Sequence, residues 1–307
     1  MSILLELTVG ERVSDTAASV VSLTEADHLT HVAHEVGVTG IRLVDSAPGA
    51  VVVDPSITAA YLAGRYPGLG FLVDAPTTHN SPYNLARRIL SLDRSTDGRA
   101  GVVLRTGRGD EVSDAVTPRP PTDDPARRHR EYAQLLAALW ESFPRDALRG
   151  DQERAVVADD ALIRPVHHQG SFYRVAGPLD GPSSVQGRPV LAVVAADPVD
   201  LGNVLAIADV VITDLDTAPA AVSAAADVAG RTRTDIAVLA RTVTVDDPQE
   251  LSARASRAGV DGWVVAPTGD ARTVHAAIRR LEDLQSPDSG GTLRSLLGLP
   301  QPATVTA

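Results

Sequence analysis

Apolar residues along this chain fall into two recurring patterns: short unbroken runs, and longer stretches that repeat at helical spacing. The runs occupy 3–9, 40–45, 68–73, 100–105, 189–194, 209–213, 236–240 and 262–266. Several, LAVVAA and GWVVAP among them, are apolar without alternation, as strands covered on both faces should be. Between the first two runs, Thr24, Asp27 and the apolar Leu29, Val32, Ala33 and Val36 predict a capped amphipathic helix that closes before Gly37. Asp54-Pro55 predicts another helix start, with Asp as cap and Pro at the first helical position. A third helix is expected over Pro82–Arg94. A fourth is expected over 126–143, where Tyr132, Leu135, Leu136, Leu139 and Trp140 share one side. Further helical stretches fall at 218–230, 248–258 and 270–284. Strand-then-helix repetition of this kind predicts an α/β fold, a closed (β/α)8 TIM barrel forming one domain over 1–307. An open, doubly wound sheet is the alternative. The missing glycine-rich turn after the first strand counts against its dinucleotide-binding form. Charge and proline mark 109–128 as a surface loop, 157–188 reads as an excursion or hairpin before the fifth strand, and 286–307 reads as a C-terminal tail.

Composition removes several functions. With 28 basic and 39 acidic residues the chain carries a formal charge of −11, which argues against nucleic acid and anionic membranes as partners. Only 3 Phe, 5 Tyr and 2 Trp are available, too few to stack along a single strand, and any flat cofactor would be held mostly by aliphatic and polar groups. No cysteine is present, so disulfides, thiolate nucleophiles and sulfur-ligated zinc are excluded. The opening MSILLELTVGERVSD lacks the basic and apolar regions of a signal peptide, and no run nears the roughly 20 residues of a membrane span. A cytoplasmic protein is the expectation.

In a barrel the working groups lie at the C-terminal strand ends. That rule selects Asp45; Asp74, Pro76, Thr77, Thr78 and His79; Arg105 and Thr106; Ala196 and Asp197; Thr213 and Asp214; Arg241; and Pro267 to Gly269. Asp45 and Asp74 could form a carboxylate pair for acid–base work, or cap helices and face solvent. His79 is a candidate base. His167 and His168 are adjacent in extended chain and face opposite ways, so at most one points into the mouth. His28, His31 and His34 have a superficial metal-ligand spacing. Six residues of helix turn through about 600°, however, so a solvent-facing side is the better reading and no metal site is expected. Arg105 with Arg108 could grip a phosphate or carboxylate by forked hydrogen bonds, or be ordinary surface charge.

Three blocks then acquire a common meaning: THNSPYNLARRILSLDRSTDGRAG (78–101), HHQGSFYRVAGPLDGPSSVQGRPVLAV (167–193) and GGTLRSLLGLPQP (290–302). In order and spacing they resemble the luciferase-like flavin-dependent monooxygenases, in the branch of the nitrilotriacetate, dibenzothiophene-sulfone and pristinamycin-pathway enzymes. EYAQLLAALWES (131–142) fits the same pattern. The resemblance implies the barrel already inferred. It also implies reduced flavin mononucleotide (FMN) supplied by a separate reductase, dioxygen as oxidant, a small organic substrate, and pairing as a homodimer or a barrel–barrel heterodimer.

Carried over residue by residue, the resemblance makes Asp45 and Thr106 flavin-side groups, and His79 and His168 candidates for orienting substrate or moving protons. The tryptophan–asparagine pair that helps cradle the flavin is replaced by Val102 and Val103. A small hydroxyl residue near the end of the third strand is replaced by Pro76 or, in another register, by Asp74. In the phosphate turn ADPVDLG (196–202), Ala196 and Asp197 stand where serines are expected. Three functional readings follow: an FMN-dependent monooxygenase, a diverged barrel without cofactor that acts alone or as a partner subunit, and a deazaflavin-dependent oxidoreductase.

Overall fold

The computed structural model describes residues 1–17, 19–107, 124–228, 230–244, 248–282 and 290–302. Its frame is a barrel of eight parallel strands: β1 Ser2–Arg12, β2 Gly40–Leu43, β3 Gly70–Pro76, β4 Ala100–Arg105, β5 Val190–Val194, β6 Val210–Asp214, β7 Ala237–Thr242 and β8 Gly262–Val265. Neighbours pair in sequence order, and the sheet closes where Ile3 and Leu4 of β1 lie in register with Trp263 and Val264 of β8. Closure settles the choice between barrel and open sheet in favour of the barrel.

The helices follow the strands they cover. Helix α1, Leu23–Val36, begins one residue before the expected Thr24, because Ser22 and Glu25 form a reciprocal capping box. Gly37 ends it in the left-handed conformation with φ 80°, a conformation in which a side chain would be strained. Helix α2, Pro55–Ala63, is capped by Asp54 as its Asp-Pro start requires. Helices α3, Pro82–Ser95, and α4, Pro125–Glu141, pack against each other, and Trp140 Nε1 donates to the Ala86 carbonyl at 2.9 Å. Asp124 caps α4 and Pro125 occupies its first turn, so the helix starts inside the stretch that charge and proline mark as loop. The rest of that loop, 108–123, lies outside the described residues, as does Arg108. Between α4 and β5 the chain forms two small antiparallel hairpins, Leu148–Ala158 and His168–Val175. Helices α5, Leu201–Val204, α6, Ala218–Ala226, α7, Pro248–Ala258, and α8, Ala271–Arg279, complete the outer layer. No described helix is long and apolar enough to cross a membrane.

Strand alternation divides the apolar residues into two clusters. Ile41, Phe71, Val102, Leu104, Val193 and Trp263 face outward, in the layer between sheet and helices. Leu4, Leu72, Val103, Ala192, Ile212, Leu239 and Val264 face the barrel interior and fill it. The interior cluster also takes in Leu293, Leu297 and Leu299 from the tail, where α9, Leu293–Leu296, closes the base of the barrel. Gly70 leaves room for that closure: a Cβ there would stand 2.6 Å from Leu293 Cδ1, so the leucine would have to shift.

Ions hold the plug. Arg294 reaches fully buried Asp209 with two hydrogen bonds, 3.1 and 2.9 Å, while Arg188 and Arg231 approach the same carboxylate at 3.6 and 3.7 Å. Burial opposes the Asp209 charge, but the arginines outweigh it and hold the carboxyl below its ordinary range. Asp93 lies close to the same plug with the opposite balance. Its Oδ1 accepts from Ala100 N and from Gln186 Nε2, and Gln186 Oε1 accepts from Arg294 N. Burial nevertheless raises the Asp93 carboxyl to about 6. A raised acid penalises folding once the unfolded chain ionises. The penalty is absent below about pH 4, grows as pH rises, and levels off above pH 6 at about 2–3 kcal/mol. Asp93→Asn should therefore gain stability relative to the natural protein between pH 4.5 and 7.5. Urea midpoints at the two pH values check this; an unchanged difference would refute it.

Candidate functional site

At the C-terminal end of the barrel the inward positions change from apolar to charged. One step beyond Leu4, Leu72, Val103 and Leu239, on the same face of each strand, stand Glu6, Asp74, Arg105 and Arg241; Arg42 holds the matching place on β2. These side chains pair in an unbroken sequence. Arg241 Nη2 donates to Glu6 Oε1 at 2.8 Å, and Arg42 Nη1 donates to Glu6 Oε2 at 2.8 Å. Arg42 also grips Asp74 in a fork, with Nε and Nη2 each 2.9 Å from a carboxylate oxygen. Arg105 Nη1 donates to Asp74 at 3.0 Å and turns its other edge to Asp197, at 2.8 and 2.9 Å. Thr106 N closes the sequence on Asp197 Oδ2 at 3.0 Å.

This ladder carries three carboxylates and three guanidiniums, so its charges cancel. The Asp74 side chain is 0 % exposed and Arg42 is 4 % exposed. Forked pairing is what makes such burial tolerable, because each charge regains in the fork the hydrogen bonds it lost from water. Burial raises the carboxyls of Glu6 and Asp197. Hydrogen bonds and positive charge from Arg241 and Arg42 on the first, and from Arg105 on the second, reverse the effect and leave both below the ordinary range. Asp45 lies outside the ladder, half-buried. Its carboxyl is pushed up by burial and by the charge of Asp74, against a smaller opposing pull from Arg105.

The residues singled out from the sequence are only partly brought together. Asp74, Thr106 and Asp197 meet through Arg105. The Thr106 hydroxyl itself is buried and has no partner among the described residues. Pro76 contributes its carbonyl, which accepts from Asn80 Nδ2. Ala196 is exposed. His79 is exposed too, held at φ 58° in the turn after β3. His168 is occupied elsewhere: its Nε2 lies 3.0 Å from Glu131 Oε1 of α4. The Glu131 carboxylate also accepts from the backbone of Ser171, Phe172 and Tyr173, so the pair clamps the second hairpin onto α4. His28, His31 and His34 turn to His275, Glu35 and the Pro67 carbonyl respectively. Glu6 and Arg42 are the members that sequence reasoning did not join to the site. Their signal is a single charge on the inward parity of an otherwise apolar strand, as in the Glu of ILLELTV.

The resemblance places a flavin at this mouth, and the residues present do not fit one. Val103 is fully buried in the packed interior, in register with Asp74 and one inward position below Arg105. Val102 faces the helices. A ring seated against Val103 would have to break the Arg42–Asp74–Arg105 pairing. At the phosphate turn, Asp197 already holds the forked edge of Arg105, and every arginine of the ladder is committed to a carboxylate.

Comparison with known proteins agrees with the fold. Residues 2–292 match the family described as luciferase-like monooxygenase. Dibenzothiophene-sulfone monooxygenase of Rhodococcus erythropolis is 32% identical over 155 residues, 50% of this chain but only 34% of that protein. One of the subunits of pristinamycin IIA synthase from Streptomyces pristinaespiralis is 26% identical over 290 residues, 94% of this chain and 93% of that one. Among solved structures, EDTA monooxygenase from Chelativorans sp. BNC1 superposes with a TM-score of 0.80 at 19% identity, covering 98% of both chains.

Proposed function

Since this chain belongs to the luciferase-like monooxygenase family, a family of oxidoreductases whose members use reduced flavin and dioxygen, we propose that it serves such a reaction as the flavin-free barrel of a paired assembly. The flavin, a small organic substrate and dioxygen then meet in a second luciferase-like barrel, with reduced flavin supplied by a reductase. One observation carries this reading: the strand ends where the resemblance seats a flavin carry the ladder from Arg241 to Asp197. The near end-to-end similarity to a protein named as one subunit of a synthase supports it further.

The role left to this barrel is structural support and positioning. Its forked ion pairs and packed interior make the mouth stiff, and a stiff neighbour is suited to ordering a catalytic partner. Titrating the purified chain with oxidised and reduced FMN should show no saturable change in flavin fluorescence or absorbance up to about 1 mM. In material isolated from native cells, flavin should travel with a two-barrel species and not with this chain alone. Micromolar binding to the isolated chain would overturn the reading and restore a self-sufficient FMN enzyme.

A further inference from the structure

The ladder is electrically balanced only because Asp197 belongs to it. Without Asp197 the ladder would hold Glu6 and Asp74 against Arg42, Arg105 and Arg241, one positive charge in excess. Three donors converge on the Asp197 carboxylate: Arg105 Nε at 2.8 Å, Arg105 Nη2 at 2.9 Å and Thr106 N at 3.0 Å. A guanidinium edge beside a backbone N–H is the arrangement that proteins use to hold phosphate and carboxylate ligands. The group held here comes from the chain itself, from the first turn after β5, and its side chain is only 12 % exposed.

We infer that Asp197 is a resident anion: it occupies an anion site formed by the Arg105 guanidinium edge and Thr106 N, and so keeps outside anions away from the barrel mouth. This inference rests on the flavin-free reading and names the group that enforces it at the phosphate end. The competition is intramolecular. A carboxylate tethered one turn from its site has a high effective concentration there, so free phosphate cannot displace it at ordinary levels. Removing the carboxylate should uncover the site, while the Arg42–Asp74 fork continues to refuse a flavin ring.

The test compares the natural protein with Asp197→Ser, using inorganic phosphate as the probe and chloride at equal ionic strength as the control. Asp197→Ser should melt below the natural protein in phosphate-free buffer. It should then recover roughly 3–6 °C, saturably, with millimolar phosphate, while the natural protein shows no such response. If the variant does not fold without phosphate, recovery of folded protein by phosphate over chloride supports the inference equally, and failure to recover overturns it. A folded variant indifferent to phosphate also overturns it while leaving the flavin-free reading in place. Micromolar binding of FMN by the natural protein removes both.

Discussion

Asp209→Ala is expected to destabilise the protein by about 3–5 kcal/mol, the range found when one partner of a buried ionic cluster is deleted and the other charges stay behind. Three guanidiniums surround this carboxylate, those of Arg294, Arg188 and Arg231, and its oxygens also accept from Leu191 N. The loss should not be shared equally among them. Arg188 keeps a pairing with Glu141 and the Ile207 carbonyl, and Arg231 keeps the Leu205 and Ala208 carbonyls. Arg294 loses its fork and retains the Pro300 carbonyl, so the tail that plugs the barrel base should loosen first. Arg294→Met, which leaves Asp209 with two arginines, should cost less than Asp209→Ala. Denaturant midpoints measure the order, and limited proteolysis locates the loosened segment. An Asp209→Ala variant within about 1 kcal/mol of the natural protein, an interval well below the expected loss, would show that the plug is held by Leu293, Leu297 and Leu299 alone.

Asp74→Ala is expected to be comparably damaging at the other end of the barrel, again by about 3–5 kcal/mol. It removes the acceptor for both forked donors of Arg42 and for Arg105 Nη1, and leaves Arg42 buried with only Glu6. Replacing both partners of the fork, Arg42→Met with Asp74→Leu, should cost less than Asp74→Ala, because no uncompensated charge remains. If the double variant is the weaker one, packing rather than charge dominates the mouth. The ladder also sets an acid limb. Glu6 and Asp197 titrate below the ordinary carboxylate range, so their contribution is complete above that range and is lost as pH falls beneath it. Glu6→Gln should flatten that limb. Asp93 works in the opposite direction, losing its contribution as pH rises through about 6, so the two effects separate cleanly along the pH axis.

The candidate site was less legible than the fold. Reading strand ends as the place of chemistry brought in Asp74, Arg105, Asp197 and Arg241, but gave no sign that they neutralise one another. His79 and His168 are candidates by residue type alone, as groups that can orient substrate or move a proton. One is exposed on a turn, and the other clamps a hairpin through Glu131. In the sequence Asp197 looked like a charge placed against a phosphate; in the fold it takes the edge of Arg105, a residue 92 positions away.

The sequence by itself determined the eight strands, the helices between them and the family. These depend on local periodicity, on caps such as Asp54-Pro55, and on motifs read within short windows. Only the tertiary structure decided what the barrel mouth and base contain. Closing the sheet brings β1 beside β8 and sets inward residues from distant strands within hydrogen-bond reach of one another, as with Arg241 Nη2 and Glu6 Oε1 at 2.8 Å. Whether such charges bind a ligand or bind each other depends on that proximity. Coulomb energy and desolvation follow distance through space, which separation along the chain does not encode.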